Sequence, residues 1–243
     1  FVLLVMIGSL AIFPDLGNAT ILFLVALLMY SISGIAHRWF ATILGVLTSL
    51  SFVSLTTIKL VGVDKFSKIP VFGYVAKRFS AFFNPFDDVA GAGHQLANSY
   101  YAMVNGGWFG LGLGNSIEKR GYLPEAHTDF VFSIVIEEFG FVGASLILAL
   151  LFFLILRIIL VGVRAKDPFN SMVAIGIGGM ILIQVFVNIG GISGLIPSTG
   201  VTFPFLSQGG NSLLVLSVAI AFVLNIDASE KRAKLYREYE AQL

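Results

Sequence analysis

Apolar runs separated by short polar breaks fill most of the chain, and one polar stretch is far longer than the others. The runs are Phe1–Phe13, Ala19–Ala36, Phe40–Val63, Phe130–Val163, Met172–Ile196 and Phe203–Ile226. A helix rises about 1.5 Å per residue, so roughly 20 apolar residues cross a bilayer core. Each run but the first approaches or exceeds that length. The expected fold is an all-α polytopic membrane protein with about six transmembrane helices, because backbone crossing lipid must satisfy its own hydrogen bonds. Residues 1–63 hold three helices, the first truncated; 64–129 form a large loop; 130–226 hold three more; 227–243 form a charged tail. The chain starts at Phe1 within an apolar run, so it reads as part of a longer protein whose upstream helices complete the cavity.

Composition sharpens this. Hydrophobic residues make up 57% and charged residues 12%, with mean hydropathy +0.91. Soluble domains carry about twice that charge. The absence of Cys excludes disulfides and thiolate metal sites. A net charge of +1 gives no ground for a nucleic-acid partner. Charge placement is more informative. Arg38, Arg157, Arg164, Lys166 and the tail residues Lys231, Arg232, Lys234 and Arg237 fall on one side, which the positive-inside rule makes cytoplasmic. Asp15, the long loop and the turn around Pro197–Pro204 then lie together outside the cytoplasm.

The loop has internal order. Lys65 to Phe83 mixes Lys65, Lys68, Lys77 and Arg78 with aromatic residues, a pattern for a segment lying on membrane lipids. Gln95–Val104 reads as a short helix, and Gly106–Asn115 as a glycine-rich bend. That bend is Gly110-x-Gly112-x-Gly114 without a βαβ setting, so close backbone packing explains it better than a nucleotide.

Asp129 is the strongest candidate for chemistry, a carboxylate where the loop enters a membrane helix. Asp129, Ser133 and Glu137 recur at i, i+4 and i+8 and share a helix face. The plainer alternative makes Asp129 an N-cap and Glu137 a structural acceptor. Glu137 and Glu138 point about 100° apart on a helix, so they suit a supporting shell with Ser133 rather than a catalytic pair. Lys77, Arg78, Lys119 and Arg120 offer charge for a diphosphate, or a basic face beside anionic lipid. Glu125, His127 and Asp129 alternate, which makes Glu125 and Asp129 candidate ligands of a divalent cation. Asp15 suits an N-cap or a substrate contact. Gln184 and Asn188 are spaced to bond between helices. His127, Thr128, Ser207 and Gln208 are candidate walls of a polar, substrate-binding cavity, with close helix packing the alternative for Ser207 and Gln208.

Three stretches carry a resemblance. They are Pro14-Asp15-Leu16-Gly17, the segment GGWFGLGLGNSIEKRGYLPEAHTDFVFSIVIEEFG from Gly106 to Gly140, and LIPSTGVTFPFLSQGGNSLLVLS from Leu195 to Ser217. In this order they closely resemble the SEDS family (FtsW, RodA and SpoVE), over essentially the whole chain and roughly the last six of that family's ten helices. The wording TFPFLSQGGNS and NIDASEKR is most like the division members of Gram-positive cocci, with Gln208 where many members have Tyr.

The resemblance implies a peptidoglycan glycosyltransferase that polymerises lipid II on the outer face of the bacterial cytoplasmic membrane. It implies a cognate class B penicillin-binding protein and other divisome proteins as partners. It implies a divalent cation, Mg or Mn, as cofactor. The family's essential aspartate falls at Asp129, in His127-Thr128-Asp129. A lipid II flippase and a divisome scaffold are the alternatives.

Overall fold

In a computed structural model of the chain, residues 16–34 and 78–240 are described, with the isolated positions Arg38, Ala41, Thr42, Gly45, Ser49, Thr56 and Gln242. The run Phe1–Phe13, all but those isolated positions of the run Phe40–Val63, and the candidate residues Asp15 and Lys77 lie outside the described residues. The described part is all-helical. Helix α1 is Leu16–Ile32 and α2 is His94–Gly106. A 3-10 turn, Glu118–Arg120, precedes the long helix α3, Val131–Arg164. Helix α4 is Pro168–Ile192 and α5 is Gly210–Glu240. Helices α3, α4 and α5 are each long and apolar enough to cross a membrane, and α1 is a shorter apolar helix.

The ends of these helices follow local chemistry. Helix α4 starts four residues before the apolar run because the Asp167 side chain accepts from Asn170 N at 3.1 Å and Pro168 takes a first-turn position. Helix α5 starts at Gly210 rather than Phe203, since Pro204 and Phe205 (φ 63°) build a turn first. It then runs without interruption into the charged tail, where Lys231–Asp227 and Lys234–Glu238 pair at 2.6 and 3.6 Å. Lys166 N donates to Glu230 at 3.1 Å, so the α3–α4 connection and the tail occupy one end of the bundle.

The core sits among α3, α4 and α5. Ile181 and Val185 are fully buried, and Phe132 stacks on Phe203 at 4.7 Å and 3°. Glycines on α4 bring α1 close, with Gly176 against Met29 and Gly179 against Leu28. The outward faces carry exposed Leu146, Leu150, Phe153 and Phe222, as helices in lipid do.

Helix α3 is broken at Gly140 (φ 70°, ψ 179°). Two helical hydrogen bonds are exchanged there with the glycine-rich bend. Leu111 N and Gly112 N donate to Glu137 O and Glu138 O at 2.9 Å, while Phe141 N and Val142 N donate to Gly107 O and Trp108 O at 2.9 and 3.1 Å. A Cβ at Gly110 would lie 2.2 Å from Glu138 O, and one at Gly140 would lie 2.4 Å from Phe109 N. The glycines therefore serve close backbone packing.

The break redirects the start of α3. Below it, Gly162 packs on Ile175 and Gly178 on Ile158, an antiparallel register that would set Ile192 opposite Ala144. Instead Ser133 reaches Ile192 through Ser99, with bonds of 2.7 and 3.2 Å. The piece before Gly140 is thus turned toward the end of α4 rather than continuing straight.

Candidate functional site around Asp129

Asp129 closes a turn that begins at Glu125 (φ 57°), whose carbonyl accepts from Thr128 N at 3.0 Å and Phe130 N at 3.3 Å. Three successive carbonyls of this segment are then taken by three residues remote in sequence. Gln208 N donates to His127 O at 2.7 Å, Ser207 Oγ to Thr128 O at 2.6 Å, and Asn188 Nδ2 to Asp129 O at 2.6 Å. Asn188, buried on α4, also donates to Val201 O at 2.6 Å. Phe203 N donates to Ser207 Oγ at 2.7 Å. The turn between α4 and α5 is therefore a splint for the segment carrying the candidate carboxylate.

The Asp129 side chain points to the same spot as Arg78. A Cβ on Gly200 would lie 3.4 Å from Asp129 Oδ2 and 3.1 Å from an Arg78 guanidinium nitrogen. Gly200 (φ 76°) leaves that space open. The Arg78 guanidinium also donates to Ser198 O. Arg78, Gln95, Asp129, Asn188 and Ser198 line a narrow crevice. Beside it, sharing Arg78, Gln95 and Ser198 and adding His94, is an open cleft of about 420 Å³. Across the 123–128 segment lies a second cleft of about 700 Å³, lined by Lys119, Glu125, His127, Thr128 and Gln208. The site sets a cation and a carboxylate beside two open clefts, groups that can move a proton and stabilise negative charge.

Other expected site residues divide sharply. Asp129 is not the N-cap of α3; Phe130 is, without a side-chain cap bond. Ser133 and Glu137, expected to stand behind Asp129, are fully buried with partners elsewhere. Ser133 meets Ser99. Glu137 accepts from Ser116, from Asn105 Nδ2 and Ile117 N at 3.2 Å, and from Glu118 N at 3.4 Å. Glu138 pairs with Lys119. The reason is the break at Gly140, which folds this face of α3 onto the glycine-rich bend. Lys119, expected to meet substrate charge, is thus held against a buried carboxylate at the cleft edge. Gln184 and Asn188, expected to bridge helices, bond main chain instead: Gln184 Nε2 donates to Thr202 O at 3.0 Å.

The FtsW/RodA/SpoVE family profile, described as a cell cycle protein, matches residues 1–232. The chain belongs to this family. It is 57% identical over 224 residues to the probable peptidoglycan glycosyltransferase FtsW of Lactococcus lactis, covering 92% of this chain and 53% of that protein. It is 43% identical to stage V sporulation protein E of Bacillus subtilis, covering 88% of this chain and 54% of that protein. It is also similar to a chain in a solved peptidoglycan synthase complex, reported for the structural coordination of polymerization and crosslinking. There the TM-score is 0.69 at 26% identity, covering 94% of this chain and 60% of that one. The chain spans about half the length of the curated relatives it matches.

The divalent cation that the family implies finds no protein cage here. Among the described residues no three His, Asp or Glu side chains converge on one point. Glu125 lines the larger cleft and accepts from the Thr128 hydroxyl at 2.6 Å, whereas Asp129 faces the crevice. Two residues of this candidate site carried no functional signal in the sequence. Gly200 matters for the side chain it lacks, and Asn188 for a carbonyl 59 residues away.

Proposed function

We propose that this chain carries the catalytic carboxylate of a peptidoglycan glycosyltransferase that polymerises lipid II during cell division. The observation supporting it is the convergence of Asp129 and Arg78 on Gly200, beside open clefts at the end of a membrane bundle. The names of the relatives supply the substrate class. Asp129 takes the proton from the acceptor sugar hydroxyl as its oxygen attacks the donor's anomeric carbon. The bond from that carbon to diphosphate breaks, and the electron pair leaves with the diphosphate. A diphosphate is a stable leaving group, so one carboxylate base suffices for an inverting displacement. Arg78 lies where it can meet the negative charge that develops.

His127, Thr128, Ser207 and Gln208 then shape the path of the glycan, and Lys119 stands at its edge. The chemistry faces the outside of the bacterial cytoplasmic membrane, with the tail in the cytoplasm, in keeping with the basic residues of the tail end. A class B penicillin-binding protein is the partner we assign, in line with the synthase complex that the fold resembles. Were Mg or Mn bound here, Asp129 or Glu125 could offer it a single carboxylate, and it would supply charge neutralisation for the diphosphate.

The test uses the full-length protein with its partner in bilayers, supplied with lipid II. Asp129→Asn is expected to make no glycan strands, and glycan made at the wild-type rate refutes the assignment.

A further inference from the structure

We propose that residues 108–113 are a wedge inserted into the bilayer on the loop side, in contact with lipid acyl chains, rather than part of an aqueous roof over the site. Four observations converge. First, the segment displays apolar side chains outward: Phe109 is 84% exposed, Leu113 76% and Trp108 68%. No charged side chain occurs from Gly106 to Ile117. Second, this surface continues the outward face of α3. Val142, Leu146, Leu150 and Phe153 form an exposed stripe at helical spacing, and Trp108 meets Phe141 edge-on at 5.5 Å, beside its top.

Third, the segment is anchored to a membrane helix. Gly107 O, Trp108 O, Leu111 N and Gly112 N all bond to α3 across its break, and Gly110 N donates to Gly106 O at 2.7 Å. Fourth, the polar groups of the following turn face inward. Ser116 Oγ and the Glu118 backbone N–H donate to the Glu137 carboxylate, and Lys119 pairs with Glu138. Trp and Phe at the top of an apolar stripe match the aromatic belt of a membrane interface. Continuity with a lipid-facing helix therefore selects lipid over water or another protein as the occupant.

The test is site-directed spin labelling of the full-length protein in bilayers, with any other cysteine replaced. Phe109→Cys and Leu113→Cys carry the label, Leu150→Cys is the lipid reference, and the tail position Tyr236→Cys is the aqueous reference. All four residues are exposed, so the substitutions leave the core intact. Relaxation by oxygen should exceed relaxation by a water-soluble nickel chelate at 109 and 113, as at 150, with the reverse order at 236. Two results overturn the proposal: relaxation dominated by the chelate at 109 and 113, which places them in water, or little relaxation by either reagent, which places them under protein. The outcome is independent of whether Asp129 is the base.

Discussion

Asn188→Ala isolates what holds Asp129 in place. Asn188 Nδ2 bridges Asp129 O and Val201 O, both at 2.6 Å, from a buried position on α4. Truncation leaves two carbonyls without that donor, at a cost of about 1–3 kcal/mol each when water cannot reach them. A stability loss of roughly 2–6 kcal/mol follows. The functional effect is larger than that figure suggests. With its main chain released, Asp129 can drift by about 1 Å, and misplacement on that scale costs on the order of 10²-fold in rate. Turnover should fall about that far while KM changes little, since Asn188 holds the Asp129 main chain at the narrow crevice and lines neither open cleft. Gln184→Ala is the control: it removes a similar bond, to Thr202 O at 3.0 Å, without touching Asp129. That variant should lose about 1 kcal/mol and keep its turnover within a few-fold. The measurements are thermal unfolding and lipid II polymerisation on one full-length preparation. Equal turnover losses in the two variants, or wild-type turnover in Asn188→Ala, would refute the splint.

Gly200→Ala puts a methyl group at φ 76° within 3.4 Å of Asp129 Oδ2 and an Arg78 nitrogen, so polymerisation should collapse while the folded protein survives; normal activity would show the crevice is not the reaction centre. Lys119→Met strands the buried Glu138 carboxylate and should destabilise by roughly 3–5 kcal/mol, whereas Lys119→Met with Glu138→Met should recover most of the loss in a double-mutant cycle. Burial, and secondarily the Glu137 charge, raise the Glu118 carboxyl above its ordinary range. A raised carboxyl favours the proton in the folded state, so its effect on stability worsens as pH rises past its unfolded value. Glu118→Gln should therefore raise the melting temperature at neutral pH, with the gain vanishing below about pH 4, and a gain independent of pH would contradict the cause given.

Helices α3, α4 and α5 were legible because apolar run length is physically tied to bilayer thickness. The observed α3 begins one residue from its expected start, and α2 encloses the helix expected at Gln95–Val104. The motif singles out Asp129, but its convergence with Arg78 on Gly200 leaves no mark in the sequence. The break at Gly140 was not legible either, since one glycine in an apolar run is compatible with an unbroken helix. Its cause lies about 30 residues upstream, in the Gly107 and Trp108 carbonyls. That one break explains why Ser133 and Glu137 turn away from Asp129. The bonds from Asn188, Ser207 and Gln208 to the His127–Asp129 carbonyls were equally hidden, because main-chain acceptors leave no mark on residue identity.

Asp129→Asn in full-length protein tests the central assignment most directly when binding and chemistry are read on the same sample. The substitution keeps shape and removes only the capacity to take a proton at that position. Lipid II should still bind within a few-fold of wild type, while a single-turnover experiment shows no glycosidic bond formed. Glycan formation at an undiminished rate would contradict a base at Asp129.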